Sequence, residues 1–111
     1  MGFRVPFRDA ITREKHFLKH RHKFLVALAN AVEYERMADN FLDGPMDADT
    51  KECQRRQAND RLRFNHTTLH IGIACLNPVY VRTFYPVDVA NVNASGGAQN
   101  YFRYKCREMS I

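Results

Sequence analysis

The chain has 111 residues, of which 45% are hydrophobic and eight are Phe, so it is limited to one small domain and is not a disordered polypeptide. Its formal net charge of +5 favours anionic partners such as nucleic acid, lipid headgroups or acidic protein. The three cysteines have no CxxC spacing, which predicts free, reduced thiols, although one disulfide with one free thiol also fits their number.

The first predicted element is a helix over about residues 10–43, because residues 7–43 contain neither Gly nor Pro. Asp9 can cap its N-terminus, and Gly44-Pro45 would end it. Its apolar residues recur every seven positions, which predicts a broad stripe facing a core. The two neighbouring rows are Ile11, Leu18, Leu25 and Val32, and Phe17, Phe24, Ala31 and Ala38.

A second helix is predicted over about residues 50–77. Asp49-Thr50-Lys51-Glu52 resembles a capping box, and Leu62, Leu69 and Leu76 continue with helical spacing until Pro78. Two long helices joined by a short connection pack antiparallel. Residues 1–78 are therefore predicted to form a helical hairpin.

The character of the sequence changes after Pro78. The stretch VYVRTFYPVDVANVN is β-branched and aromatic, and ASGGAQN follows it. This predicts an extended C-terminal interaction arm over residues 79–111, with at most one or two short strands. The predicted fold class is mainly α, an antiparallel hairpin of two long helices with an extended C-terminal arm.

Two histidine pairs with a spacing of four residues are candidates for a metal site. If they faced each other on two helices, His16 and His20 together with His66 and His70 would offer four imidazoles. No HExxH or carboxylate ligand accompanies them, and cations neighbour the first pair. The sequence therefore predicts no metal and no cofactor, with histidines that face solvent or a partner.

Residues 4–23 contain seven basic and two acidic side chains. At the N-terminal end of one long helix these cations would oppose the helix dipole, which suggests an anionic partner. The tail YFRYKCR alternates aromatic and cationic residues, which suits protein interfaces and also RNA. The predicted partner-binding residues are Arg13, Lys15, Lys19, Arg21, Lys23, Phe84, Tyr85, Tyr101, Phe102, Arg103, Tyr104 and Lys105.

The sequence contains no motif of an enzyme, a secreted protein or a transmembrane protein. There is no nucleophile motif around a cysteine or serine and no phosphate-binding glycine loop, so we expect no enzyme. No secretion signal is apparent, and polar residues interrupt the longest uncharged run, residues 64–81, so no transmembrane span is predicted. Twin-cysteine hairpins and Leu-Tyr-Arg helical subunits of mitochondria share the size of the chain but not its motifs.

These features predict a non-catalytic accessory or structural subunit that bridges neighbours in a large multi-subunit assembly. An organellar respiratory or ATP-synthase complex fits this character, and the predicted location is intracellular, with the mitochondrion favoured. The first alternative is a small basic protein that binds RNA or associates with a ribosome or virion. It would use residues 4–23 and 101–107. The basic N-terminal helix also suits anionic lipid headgroups. The second alternative is a His-rich metal-binding helical protein.

Overall fold

The computed structural model describes residues 3–55 and 59–107 and shows an α+β fold. Its elements in chain order are α1 (Ala10–His20), a 3-10 helix (Arg21–Lys23), α2 (Ala31–Asp43), β1 (Thr50–Arg55), β2 (Asp60–Asn65), β3 (His70–Leu76), β4 (Val79–Pro86), α3 (Val89–Ala94) and α4 (Ala98–Arg107). The four strands form one antiparallel sheet in the order β1-β2-β3-β4. The predicted mainly helical hairpin with an extended arm is therefore wrong.

The predicted helix over residues 10–43 is divided into two helices. The backbone becomes extended at Phe24 after the 3-10 helix, and α2 begins only after Asn30, whose side chain accepts a hydrogen bond from Glu33 N. Asn is a preferred N-cap residue, and Glu three positions later is typical of helix starts. A local capping signal therefore outweighs the continuous helical spacing.

The two predicted apolar rows of this helix differ in their exposure. The row of Phe17, Phe24, Ala31 and Ala38 is buried as predicted, whereas Ile11, Leu18, Leu25 and Val32 are between 41% and 106% exposed. A row of period seven stays on one face only while the helix is continuous. Leu25 lies in the non-helical segment between α1 and α2, so the second row does not continue along one helix, and none of its four residues belongs to either core.

The predicted helix over residues 50–77 is instead a pair of β-hairpins, with residues 56–58 outside the described part of the chain. Thr50 opens β1, so the predicted capping box is wrong. In β2, Leu62 and Phe64 are both fully buried against α3 and α4, as period-two alternation requires. The turn after β2 is fixed by Asn65, whose side-chain oxygen accepts hydrogen bonds from the N–H groups of Thr67 and Thr68.

The predicted C-terminal arm is part of the folded body. β4 pairs along β3 in the sheet, and the chain then forms α3 and α4. Cys53 of β1 and Cys106 of α4 form a disulfide with their Cα atoms 6.2 Å apart, while Cys75 is a buried free thiol. The prediction of three reduced thiols is thus wrong for this pair. Residues 108–111 of the predicted arm lie outside the described residues.

The sheet separates two apolar cores. On one face α1 and α2 pack against β3 and β4, and on the other face α3 and α4 pack against β2 and β3. Gly72 lies where α2 crosses the sheet, because a Cβ atom there would come within 3.0 Å of the side chains of Phe41 and Leu42. Tyr34 of α2 is fully buried and its hydroxyl donates to the carbonyl of Phe84 in β4. These contacts fix the helices on the sheet.

Two arginines of β2 hold the C-terminal end of α2. Arg61 donates to the carbonyl of Leu42 at 2.6 Å, and Arg63 donates to those of Phe41 at 3.1 Å and Gly44 at 2.7 Å. The last carbonyls of a helix lack partners within the helix. These two cations of β2 therefore stabilise the fold by supplying the missing donors.

A buried carboxylate joins three strands. Asp60, which is 0% exposed, accepts two hydrogen bonds of 2.7 Å from Arg55 and lies 3.4 Å from Nε of Arg82. Arg55 itself is 7% exposed. This arrangement neutralises a charge that would otherwise be costly to bury.

Among the described residues, no helix combines the length and hydropathy needed to cross a bilayer. This agrees with the predicted lack of a transmembrane span.

Candidate functional site

A cleft of about 780 Å³ opens between the end of α1 and the end of β4. We call it the basic cleft. One wall is formed by residues of α1 and the 3-10 helix, and the other by residues of β4, the following loop and α3. Its lining residues are His16, Lys19, His20, His22, Lys23, Thr83, Tyr85, Pro86, Val87, Asp88 and Asn91.

Local interactions place α1 at this cleft. Asp9 caps the helix by accepting a hydrogen bond of 2.7 Å from Thr12 N, and the helix buries Phe17 and His20. Residues 5–7 run beside β4, where Phe7 forms a parallel bridge with Val81. The start and the buried face of α1 are therefore fixed, and its cationic end lies beside the end of β4.

His20 is at the centre of the basic cleft. It is 3% exposed, and its ring stacks on Tyr85 with the centroids 4.7 Å apart and the planes 14° from parallel. Nζ of Lys23 lies 3.1 Å from Nδ1 of His20 and 4.8 Å from the centre of the Tyr85 ring. The three side chains form one contact group across the two walls.

Burial, followed by the charge of Lys23, lowers the pKa of His20 from 6.5 to about 4. The imidazole is therefore neutral at pH 7. Because the ammonium of Lys23 donates to Nδ1, the ring proton is on Nε2. The pair thus presents one cation and a neutral ring that keeps an N–H donor.

His16 and His22 flank this group. The ring of His16 contacts those of Phe7 and His20 at centroid distances of 5.4 and 5.8 Å. Burial, followed by the charge of Lys19, lowers the pKa of His16. Its buried Nδ1 has no hydrogen-bond partner among the described residues. His22 is exposed.

The charge of the basic cleft is positive. Lys19 and Lys23 are exposed at its rim, whereas Asp88 is the one carboxylate among its lining residues. The Asp88 side chain is engaged as the N-cap of α3, where it accepts a hydrogen bond from Ala90 N. The cleft therefore suits an anionic group.

The break after α1 also changes the dipole argument. Lys19 is in the last turn of α1, and the next cations follow in the 3-10 helix. Cations at a helix C-terminus are favourable. The expected conflict with the helix dipole is therefore absent for these residues, because α1 ends at His20.

The other residues of the predicted N-terminal binding surface have different environments. Arg13 is tied to the buried Glu35 by an ion pair of 3.1 Å. Lys15 is exposed on α1, and Arg21 is exposed with its guanidinium 5.0 Å from the centre of the Phe17 ring. Lys15 and Arg21 are thus available to a partner, whereas Arg13 holds α1 against α2.

The predicted aromatic anchors divide between core and surface. Phe84 is fully buried and Tyr101 is 7% exposed, so both belong to the cores, and Phe102 packs against the second one. Tyr85 lies in the basic cleft. Tyr104 is 57% exposed on α4.

The two cations of the predicted C-terminal surface lie on α4. Arg103 is exposed, and Nζ of Lys105 lies 5.7 Å from the centre of the Tyr101 ring. Both line a second cleft along α4.

The two histidine pairs do not form one site. His66 contacts Phe102 of α4, whereas His70 contacts Phe24 and Phe41 on the opposite face of the sheet. Burial among these rings lowers the pKa of His70. In the described ranges, 3–55 and 59–107, no group of three or more His, Cys, Asp or Glu residues could hold a metal ion.

Sequence reasoning did not predict the far wall of the basic cleft. Thr83, Asp88 and Asn91 lie more than sixty positions from the histidines and reach them only through the fold. No local motif marks these residues. No protein-family model matches the sequence, and a search of the curated proteins finds no match either.

Proposed function

We propose that the protein binds single-stranded RNA, with a backbone phosphate held in the basic cleft. The observation that carries this proposal is the His20–Lys23–Tyr85 group, which places the ammonium of Lys23 beside a neutral imidazole and a tyrosine ring in one concave site. Charge-assisted hydrogen bonds of this kind are the strong contacts to phosphate oxygens. The hydroxyl-bearing Thr83 and Tyr85 line the opposite wall.

Fluorescence anisotropy with fluorescein-labelled oligouridylate of four nucleotides tests this proposal. Affinity should fall with salt, because binding displaces counterions from the strand. Lys23→Gln should weaken binding and reduce the slope of log K against log[salt] by about 0.7, the contribution of one phosphate contact to a single strand. The matched control is Lys51→Gln, which removes an exposed lysine of β1.

Three outcomes separate the alternatives. If Lys23→Gln and Lys51→Gln lose the same RNA affinity, binding depends on net charge and not on the basic cleft. Binding to phosphatidylserine vesicles without binding to the oligonucleotide would contradict the proposal in favour of lipid headgroups. Equal affinity for oligodeoxyuridylate would broaden the ligand to single-stranded nucleic acid.

An accessory subunit of a larger assembly is the second candidate function. It is supported by exposed apolar residues around the end of α1, since Leu25 is 106% exposed and Leu18 and Val26 are each 57% exposed. Exposed apolar residues that lie close together favour a protein interface. A respiratory or ATP-synthase complex, and an intracellular or mitochondrial location, stay predictions.

Co-purification of the chain with an intact respiratory or ATP-synthase complex tests this second candidate. Leu25→Ser should abolish association without changing the fold, because its side chain contributes nothing to either core. Val79→Ser, which changes an exposed residue of β4, is the control. Retention of Leu25→Ser in the complex would contradict a role for these exposed apolar residues.

A further inference from the structure

A second cleft, of about 1030 Å³, runs along α4 and rests on the end of α3 and on Cys53 of β1. We call it the α4 groove. Binding of a single phosphate in the basic cleft does not require the α4 groove. The inference that follows rests on the proposed RNA binding and extends it to a longer strand.

The side chains of the α4 groove suit single-stranded nucleic acid. Arg103 and Arg107 are exposed and stand four positions apart on α4, so they share one face of the helix. The ring of Tyr104 beside them is 57% exposed. Cations that follow the backbone and an aromatic ring that stacks on a base are the recurrent elements of such sites.

Charge distinguishes this groove from an ordinary surface depression. The residues described along it include three cations, Arg103, Lys105 and Arg107, and no Asp or Glu. Its occupant is therefore expected to carry negative charge where it passes residues 103–107 of α4.

Asn91 connects the two clefts. This residue of α3 lines the basic cleft on one side and the α4 groove on the other. A strand that contacts Asn91 is therefore within reach of both clefts. A lining residue that the two clefts share favours one extended ligand over two separate small ones.

The groove is held in place by the core and by the disulfide. Tyr101 is buried against Phe64 with the ring centroids 5.4 Å apart, and Cys106 is bonded to Cys53. These residues anchor the inner face of α4, which leaves Arg103, Tyr104 and Arg107 on its outer face. The binding surface is therefore formed before a ligand arrives.

We propose that the α4 groove is a second subsite for the RNA strand whose phosphate occupies the basic cleft. Arg103 and Arg107 contact backbone phosphates, Tyr104 stacks on a base, and Asn91 lies at the junction. The strand crosses from the end of α1 to α4. An acidic peptide is the competing occupant, and the experiment distinguishes it.

The experiment compares oligouridylates of four and twelve nucleotides by fluorescence anisotropy. Arg103→Gln with Arg107→Gln should reduce the salt slope for the long probe by about 1.4, and leave the short probe unchanged, because each phosphate contact contributes about 0.7. Tyr104→Ala should weaken binding of the long probe by about tenfold, within the range measured for stacked bases. Tyr104→Phe keeps the ring and should restore affinity.

The control for charge is Arg36→Gln, which changes an exposed arginine of α2. Loss of long-probe binding in this variant equal to that of the α4 variants would overturn the second subsite. So would equal affinities of the wild-type protein for the two probes. Preferential binding of an oligoglutamate peptide that the α4 variants abolish would assign the groove to acidic protein.

These results separate the two proposals. If Lys23→Gln weakens the short probe while the α4 variants have no effect on either probe, RNA binding at the basic cleft stands and the second subsite is refuted. If neither probe responds to Lys23→Gln, the function proposed for the basic cleft fails by itself.

Discussion

The buried, neutral His20 makes the stability of the protein depend on pH. Its pKa is lowered from 6.5 to about 4 by burial and then by Lys23, so the folded protein binds a proton less readily than the unfolded chain. Stability is therefore lost as the pH falls below 6.5, and the loss levels off below pH 4. His16 and His70 contribute in the same direction, because their pKa values are also lowered.

The size of the effect follows from linkage. With pKa values of 6.5 unfolded and about 4 folded, acidification from pH 7.5 to pH 5.0 removes about 2 kcal/mol from the free energy of unfolding through His20 alone. The variant His20→Gln removes this titration and keeps an acceptor for the ammonium of Lys23. The wild-type protein should thus lose about 2 kcal/mol more than the variant over this interval.

Urea unfolding at pH 7.5 and pH 5.0 measures the two losses, and NMR titration of the His20 ring protons measures its pKa directly. Comparison within each protein cancels any change of stability that the substitution causes at neutral pH. Lys51→Gln, at an exposed position of β1 outside the basic cleft, is the control and should lose as much as wild type. If wild type and His20→Gln lose the same free energy of unfolding between pH 7.5 and pH 5.0, titration of His20 is not the cause of the loss.

Three further predictions concern the fold, and urea unfolding at pH 7.5 measures each. Asp60→Asn should lower the free energy of unfolding by about 3–5 kcal/mol, because it leaves the buried Arg55 without its carboxylate. Cys106→Ser should cost about 4 kcal/mol, the loop-closure value for a bridge between residues 53 positions apart. Gly72→Ala should cost about 1–3 kcal/mol, because the added methyl group meets α2 side chains at 3.0 Å.

Each of these predictions has a control. Asp43→Asn breaks an ion pair whose arginine side chain is 84% exposed, and should change stability by less than about 1 kcal/mol. Reduced wild type should match Cys106→Ser, since both lack the bridge. Gly72→Ala should not change the salt dependence of RNA binding, because Gly72 lines neither cleft. An Asp60→Asn protein as stable as wild type would contradict the buried ion pair.

The helices were predictable in part from local signals. Asp9 was identified as a helix N-cap and is one, and the helix end before Gly44 was placed correctly. The interruption between α1 and α2 was missed, although Asn30 and Glu33 carry a recognisable capping pattern. Apolar residues recur with helical spacing through residues 24–30, where the chain is not helical. The spacing of apolar residues alone therefore cannot reveal such a break.

The residues of the sheet fit a helical spacing as well as the alternation of a strand, and the helical spacing predicts the wrong element. In β2, Leu62 and Phe64 alternate with Arg61 and Arg63, which is the period of two that a strand requires. The arginines on this strand are satisfied by carbonyls at the end of α2. These hydrogen bonds join residues about twenty positions apart, so no local sequence pattern predicts them.

The charge of the candidate site can be predicted from the sequence, but its shape cannot. The sequence shows a basic block over residues 4–23, and on one long helix these cations would oppose the dipole. In the structure α1 ends at His20, so Lys19 lies in its last turn and Arg21 and Lys23 follow it, at a favourable helix end. The argument for an anionic ligand therefore does not depend on misplaced charge. It depends on the concave site that His20 and Lys23 form with Tyr85, and this site exists only because residues 5–7 and β4 hold α1 beside the end of the sheet.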